Sequence, residues 1–180
     1  RGHAVGFVNP NGTVTGKLES FSGNPVANAY VTLTPTIGRS LRFDGANDNL
    51  CIDYHEALPA NMWTLSAFVQ IGDGNDGSGI VDFGSDMNRN FWLHTLPAGQ
   101  GKGIVAGIGD GSMATTIAYE FEEDPNAWHQ VSVVYNGSTM LLYVDGRYAT
   151  STPASIDSRP ARFTIGSRRD NDGFFSGKID

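Results

Sequence analysis

The chain has 180 residues, a formal net charge of −7, 17% charged side chains, 23 glycines and one cysteine. This length supports one sizeable core with a small appendage, and the composition excludes a coiled coil or a charge-rich disordered chain. No basic stripe is available to neutralise phosphates, so nucleic acid is excluded as a partner. No apolar run reaches the roughly 18 residues of a membrane helix, so membrane insertion is not expected.

Arg1-Gly2-His3 reads as the start of an excised or processed segment. Two alternating strands follow, Gly12 to Leu18 and Ala29 to Thr34, around Ser22-Gly23-Asn24-Pro25-Val26-Ala27-Asn28. This pattern resembles the opening hairpin of the carboxypeptidase-regulatory-like, Ig-type β-sandwich. Residues 1–38 are therefore expected to be a partial Ig-like segment, too short to bury a core of its own. Asn11-Gly12-Thr13 and Asn136-Gly137-Ser138 match the N-glycosylation triplet, the second being better explained as a hairpin turn.

From residue 39 the chain is a succession of short alternating runs between Gly, Asn, Asp and Pro clusters, an all-β signature. Leu41 to Asp44 opens it. Asn49-Leu50-Cys51-Ile52 follows, with Cys51 expected to be a small buried hydrophobe. Trp63 to Val69 places Trp63, Leu65, Ala67 and Val69 on one face. In Phe91-Trp92-Leu93-His94 the parity puts Trp92 and His94 on one face and Phe91 and Leu93 on the other. Gly103 to Ile108 and Ala114 to Phe121 come next. Ala127 to Ala149 then reads as three antiparallel strands, with two-residue turns at Asn136-Gly137 and Asp145-Gly146. Phe163-Thr164-Ile165-Gly166 and Phe174 to Asp180 close the chain.

The opening Leu41 to Leu50 run, Trp-His-x-Val at Trp128, Leu-Tyr-Val-Asp-Gly at Leu142 and Phe-Ser-Gly-Lys-Ile-Asp at Phe175 together resemble the laminin-G-like branch of the concanavalin A-like jelly rolls. The resemblance spans 39–180. It implies an antiparallel jelly-roll sandwich in a mostly extracellular family that mostly binds rather than catalyses. Members of that family continue past Ile-Asp into a further strand. The stop at Asp180 is thus expected to mean a fragment, or a strand supplied from elsewhere, and a missing strand would leave a sheet edge open to pairing.

Related glycosidases with this jelly roll carry paired carboxylates at Glu-x-Asp-x-x-Glu spacing, because one acid protonates the leaving oxygen while another attacks. The five glutamates here are Glu19, Glu56, Glu120, Glu122 and Glu123, and the one cluster, at Glu120, lacks that spacing. No Ser-His-Asp arrangement is visible. The chain is expected not to be an enzyme.

Calcium is the candidate cofactor, since hard cations take several oxygen ligands. Asp73-Gly74-Asn75-Asp76 has oxygen-rich loop spacing. Asp82 and Asp86 precede the Phe91 strand, where the resemblance implies a rim calcium ligand, and Asp170-Asn171-Asp172 forms a third acidic loop. The resemblance also implies a structural calcium where Asp44, or the Gly45 carbonyl, meets Asp180. The bland alternative is that these loops are turn chemistry. For a carbohydrate, the candidates are Trp92 and His94 on an open concave face, Arg168 and Arg169 for an anionic sugar, and Phe174 as a rim aromatic.

The sequence thus reads as a non-catalytic extracellular or cell-surface recognition and adhesion module. Its expected partner is a carbohydrate or a surface or matrix component. Two alternatives remain open at this level. One is a structural or assembly unit of a large surface protein or filament, with self-association or neighbouring domains as partners. The other is an accessory domain of a polysaccharide-degrading enzyme.

Overall fold

The computed structural model describes residues 40–84, 86 and 88–180, together with the backbone of 7–8, 14–15 and 30–32. Every regular element among them is a strand. The order is β1 (Phe7–Val8), β2 (Val14–Thr15), β3 (Tyr30–Thr32), β4 (Leu41–Asp44), β5 (Leu50–His55), β6 (Trp63–Ile71), β7 (Gly79–Phe83) and β8 (Arg89–Thr95). It continues with β9 (Gly103–Asp110), β10 (Ala114–Glu120), β11 (His129–Tyr135), β12 (Thr139–Val144), β13 (Arg147–Pro153), β14 (Ala161–Ile165) and β15 (Ser176–Ile179). The expected Ig-like segment falls almost wholly outside the described residues. Of it, β1 pairs with β2 antiparallel, and β3 runs parallel to β6.

Two antiparallel sheets form the sandwich. One runs β10-β9-β8-β7-β14-β5, and the other runs β13-β12-β11-β6-β15-β4 with β3 beside β6. The alternation seen in the sequence sets which side chains meet between them. From β6 and β11, Trp63, Ala67, Val69, Val131, Val133 and Tyr135 point inward; from β8 and β9, Phe91, Leu93, Ile104 and Ile108 do so, all buried. Phe175, fully buried, stands edge-on to Phe43 with ring centroids 6.1 Å apart. Burial of such a side chain contributes about 1.5–3 kcal/mol.

The two hairpins differ. At Asp145-Gly146 both central residues have positive φ (51° and 72°), the type I′ pattern expected. In the first hairpin Tyr135 faces Met140, and the Asn136 amide donates to the Thr139 carbonyl, so the two-residue turn is Gly137-Ser138. Gly137 alone has positive φ, at 97°, which fits a type II′ turn with glycine first. Asn136 sits just outside, its Oδ1 accepting the Ser138 and Thr139 amides. The Asn-Gly dipeptide marks the hairpin, and the turn is centred one residue later.

The Trp-His motif also has a physical basis. His129 Nδ1 lies 2.8 Å from Asp145 Oδ2, and its Nε2 lies 3.1 Å from the Asp124 carbonyl. The imidazole stacks on Phe121 at 4.0 Å. His129 therefore ties the loop before β11 to the turn after β12.

Candidate functional site

On the outer face of the six-stranded sheet the pairing registers align one row across the sheet: Thr116, Gly107, Trp92, Asp82, Thr164 and Cys51. β8 alternates as the sequence indicates, with Phe91 and Leu93 in the core and Trp92 and His94 on this outer face. The Trp92 indole stacks on His94 with centroids 4.6 Å apart and lies flat over Gly107. Trp92 and His94 are each 5% exposed, so they form the floor of the face rather than an open platform.

Asp82 lies at the centre of that floor. Its side chain is buried, with Oδ2 3.0 Å from His94 Nε2 and 3.4 Å from Arg169 Nη1. Thr164 Oγ1 donates to the Ser167 carbonyl at 2.9 Å, closing the row beside it. The second carboxylate oxygen of Asp82 and the Trp92 indole N–H are buried without a protein partner. A buried carboxylate is costly unless paired, so a sheet centre built this way is unlike ordinary core packing. The resemblance implies a rim calcium ligand at Asp82 or Asp86; Asp82 instead stands in a strand at the centre of this face. The signal that places it here is its position in Gly79–Phe83, an otherwise apolar strand whose parity sends one carboxylate to the face carrying Trp92.

The structure brings together Trp92, His94 and Arg169 of the expected ligand residues. Arg168 points elsewhere: its guanidinium donates to the carbonyls of Gly77 (2.7 Å) and Asp76 (3.1 Å), tying two rim loops together. Phe174 is half-buried beside the inward-facing Phe175.

The carboxylates expected to share calcium are dispersed. Asp44 pairs with Ser176, and Asp180 lies four residues further along β15, about 13 Å away at strand spacing, so the expected meeting of Asp44 with Asp180 does not occur. Asp44 Oδ1 accepts the amides of Ala46 (2.8 Å) and Asn47 (3.4 Å), and these bonds hold its carboxyl below the usual range. Asp73 is held low by Lys102 Nζ at 2.8 Å. Asn75 bonds the backbone of Ser176 in both directions, at 2.8 and 2.9 Å. Asp76 Oδ1 accepts the Ala98 amide, and Asp86 holds Arg89 at 2.7 Å. Asp180 exchanges both backbone bonds with Phe68. Among the described residues no group of three or more His, Cys, Asp or Glu side chains could hold a metal. In these positions the side chains serve turns and latches.

Cys51 is exposed, contrary to the expectation of a buried hydrophobe. β5 is an edge strand that turns Leu50 and Ile52 toward the sheet interior and Cys51 outward, beside Arg162 Nε at 2.8 Å.

The family model of the concanavalin A-like lectin/glucanases superfamily matches residues 44–180. Among curated proteins none matches the chain. Solved structures share the fold at low identity. A heptameric SAP-like pentraxin from Limulus polyphemus is 16% identical, with a TM-score of 0.54 over 77% of this chain and 71% of that one. Domain 4 of AbnA, an extracellular arabinanase from Geobacillus stearothermophilus solved with arabinotriose, is 15% identical, with a TM-score of 0.54 over 81% and 69%. Domains LG4-5 of the mouse laminin α1 chain are 15% identical, with a TM-score of 0.56 over 89% of this chain and 45% of that one.

Proposed function

The chain belongs to the concanavalin A-like lectin/glucanases superfamily, and on that premise we propose that it is a non-catalytic, extracellular carbohydrate-binding module. The observation that carries this reading is the Asp82–His94–Trp92–Arg169 array on the outer face of the six-stranded sheet. A carboxylate oxygen and an indole N–H there lack protein partners. Both atoms are closed off from solvent, so a saccharide reaches them only as the floor opens; one then accepts and the other donates, and sugar hydroxyls do both. The arabinotriose complex of a domain with this fold supports the same reading. The exposed side chains of Thr116 and Ala118 on β10 flank the floor and would form the edge of the bound saccharide's track. Glu120 follows Thr116 and Ala118 on the outward face of β10, and Glu122 and Glu123 lie exposed in the loop after it; the cluster lacks the Glu-x-Asp-x-x-Glu spacing of related glycosidases, which favours binding over hydrolysis.

The test is retention of the purified chain on insoluble polysaccharides, arabinan among them, compared with two variants. Arg169→Ala removes a group that reaches the floor, and Thr116→Trp covers the face without touching the core. Retention lost in both, with unchanged circular dichroism, supports the reading. Retention on no glycan, or retention unaffected by Thr116→Trp, overturns this site.

One observation favours a second reading, assembly with a neighbour. Leu41 on β4 and Leu50 and Ile52 on β5 follow the inward parity of their strands yet are 50%, 49% and 52% exposed. Inward-facing apolar residues at two adjacent sheet edges are surface that an assembly partner would cover. Light scattering across a concentration series tests it; a monomer at all concentrations removes self-association.

A further inference from the structure

We propose a second ligand site, for the carboxylate of a uronic acid residue in a polysaccharide, in a polar cleft on the outer face of the seven-stranded sheet; it rests on the carbohydrate-binding reading above.

The cleft, about 510 Å³, is bounded by β4, β15, the end of β6 and the loop at Asn126. Lys178 stands directly opposite Arg42 on one side and Gln70 on the other. Two cations in directly opposed positions on neighbouring strands repel. Among the described residues neither Arg42 nor Lys178 is within ion-pair distance of a carboxylate. Lys102, Arg89, Arg159, Arg162 and Arg169 have acidic partners, whereas Arg168 is held by backbone carbonyls instead. A repelling pair left uncompensated on a chain of net charge −7 is a place for an anion from outside.

The next row of the same face adjoins the cations. It runs Asp44–Ser176 and reaches Gly72, where a Cβ would meet Ser176 Oγ at 2.8 Å. Ser176 fills the space over Gly72, and no long side chain stands at 176 or 72 beside the cations. Lys102 closes the far end, its Nζ already committed to Asp73 Oδ1, Asn126 Oδ1 and the Ile71 carbonyl.

The chemistry selects a carboxylated sugar. Guanidinium takes a carboxylate in a two-pronged hydrogen bond, and the Lys178 ammonium adds a point charge. Asp44, two residues along β4 from Arg42, and the Gln70 amide oxygen, on the residue opposite Lys178, suit the hydroxyls of the same ring. Those two flanking acids, Asp44 and Asp73, together with the net negative charge, disfavour a densely sulfated chain.

The experiment is calorimetric titration of the full chain with oligogalacturonides, and with the same oligomers methyl-esterified, which removes the charge and keeps the ring. Acid oligomers are expected to bind at least about tenfold more tightly than their esters, with affinity falling as salt rises. Lys178→Gln and Arg42→Gln, both exposed or half-exposed, should each lower affinity for the acid form about tenfold. Equal binding of acid and ester, or acid binding insensitive to Lys178→Gln and Arg42→Gln, overturns the cleft while leaving a neutral-sugar module standing. Tighter binding of a sulfated oligosaccharide than of the uronate overturns the carboxylate assignment. Failure of every saccharide, neutral or acidic, overturns both this site and the reading it rests on.

Discussion

The indole of Trp92 occupies the space above Gly107: a Cβ placed on that glycine would lie 2.3 Å from two carbons of the ring. β9 carries glycine there because β8 lays its largest side chain across the neighbouring strand. Gly107→Ala is therefore expected to push the indole off the sheet and lower stability by about 1–3 kcal/mol, as overpacking does. Urea unfolding measures the loss, and Trp fluorescence should shift with it.

Asp82 sets a second expectation. Its side chain is 1% exposed and serves both His94 and Arg169. Asp82→Ala leaves a buried cation without its partner and should cost about 3–5 kcal/mol. The combined Asp82→Leu, His94→Leu and Arg169→Leu variant should recover much of that loss, because the array was costly to bury in the first place. Equal destabilisation by the single and triple changes would mean the array is structural packing and nothing more.

Much of this architecture is legible in the chain itself. The alternation in Trp63–Ile71 and His129–Tyr135 states which side chains face the core, and Asp145-Gly146 states its turn type. Other features needed the third dimension. Asn136-Gly137 marked a hairpin but not its register, because Asn136 serves as well outside a Gly-first turn as inside an Asn-first one. Cys51 sat in an apolar run, and only the position of β5 at a sheet edge decides that its face is outward. The acidic loops looked alike as sequence. Their roles separated only when Asn75 was found holding Ser176, Asp73 holding Lys102, and Asp44 capping its own turn. Asp82, hidden among apolar neighbours, became meaningful only once Arg169 reached it from a residue 87 positions away.

The His129 bridge predicts a graded series at Asp145. The residue has positive φ, at 51°, accepts the Gln130 amide at 2.8 Å, and meets His129 through its other oxygen. Asp145→Asn keeps an acceptor and tolerates the backbone, so it should cost less than Asp145→Ala, which loses both bonds and the conformational preference. Melting temperatures should fall in the order wild type, Asn, Ala. An alanine variant as stable as the asparagine one would show that the side chain contributes nothing to the bridge.

Acid should unfold this protein through its surface turns. Asp110 is held low by the backbone amides of Met113 and Ser112, and Asp157 first by Arg159 and further by Arg89. A carboxylate whose folded pKa is depressed contributes stability that is present above its unfolded value, about 3.9, and is lost as pH falls through the folded one. Stability should therefore be flat in these groups at neutral pH and decline below about pH 4. Asp110→Asn should flatten that decline; an unchanged acid limb would assign it to other carboxylates.

The one thiol should be open to reagents in the native state. Cys51 is exposed, with Arg162 Nε 2.8 Å from its sulfur. A colorimetric disulfide reagent should titrate one thiol without denaturant, at a rate close to that of a small free thiol. Reaction only after unfolding would contradict the outward facing of β5.

That thiol shares a cross-sheet row with Trp92, with Thr164 and Asp82 between them. Three strand spacings separate the two, about 14 Å. A dye attached at Cys51 thus stands within energy-transfer range of a single indole on the face assigned to saccharide. The molecule comes equipped with a matched donor and acceptor position, and occupancy of that face becomes an optical signal without engineering a new attachment point.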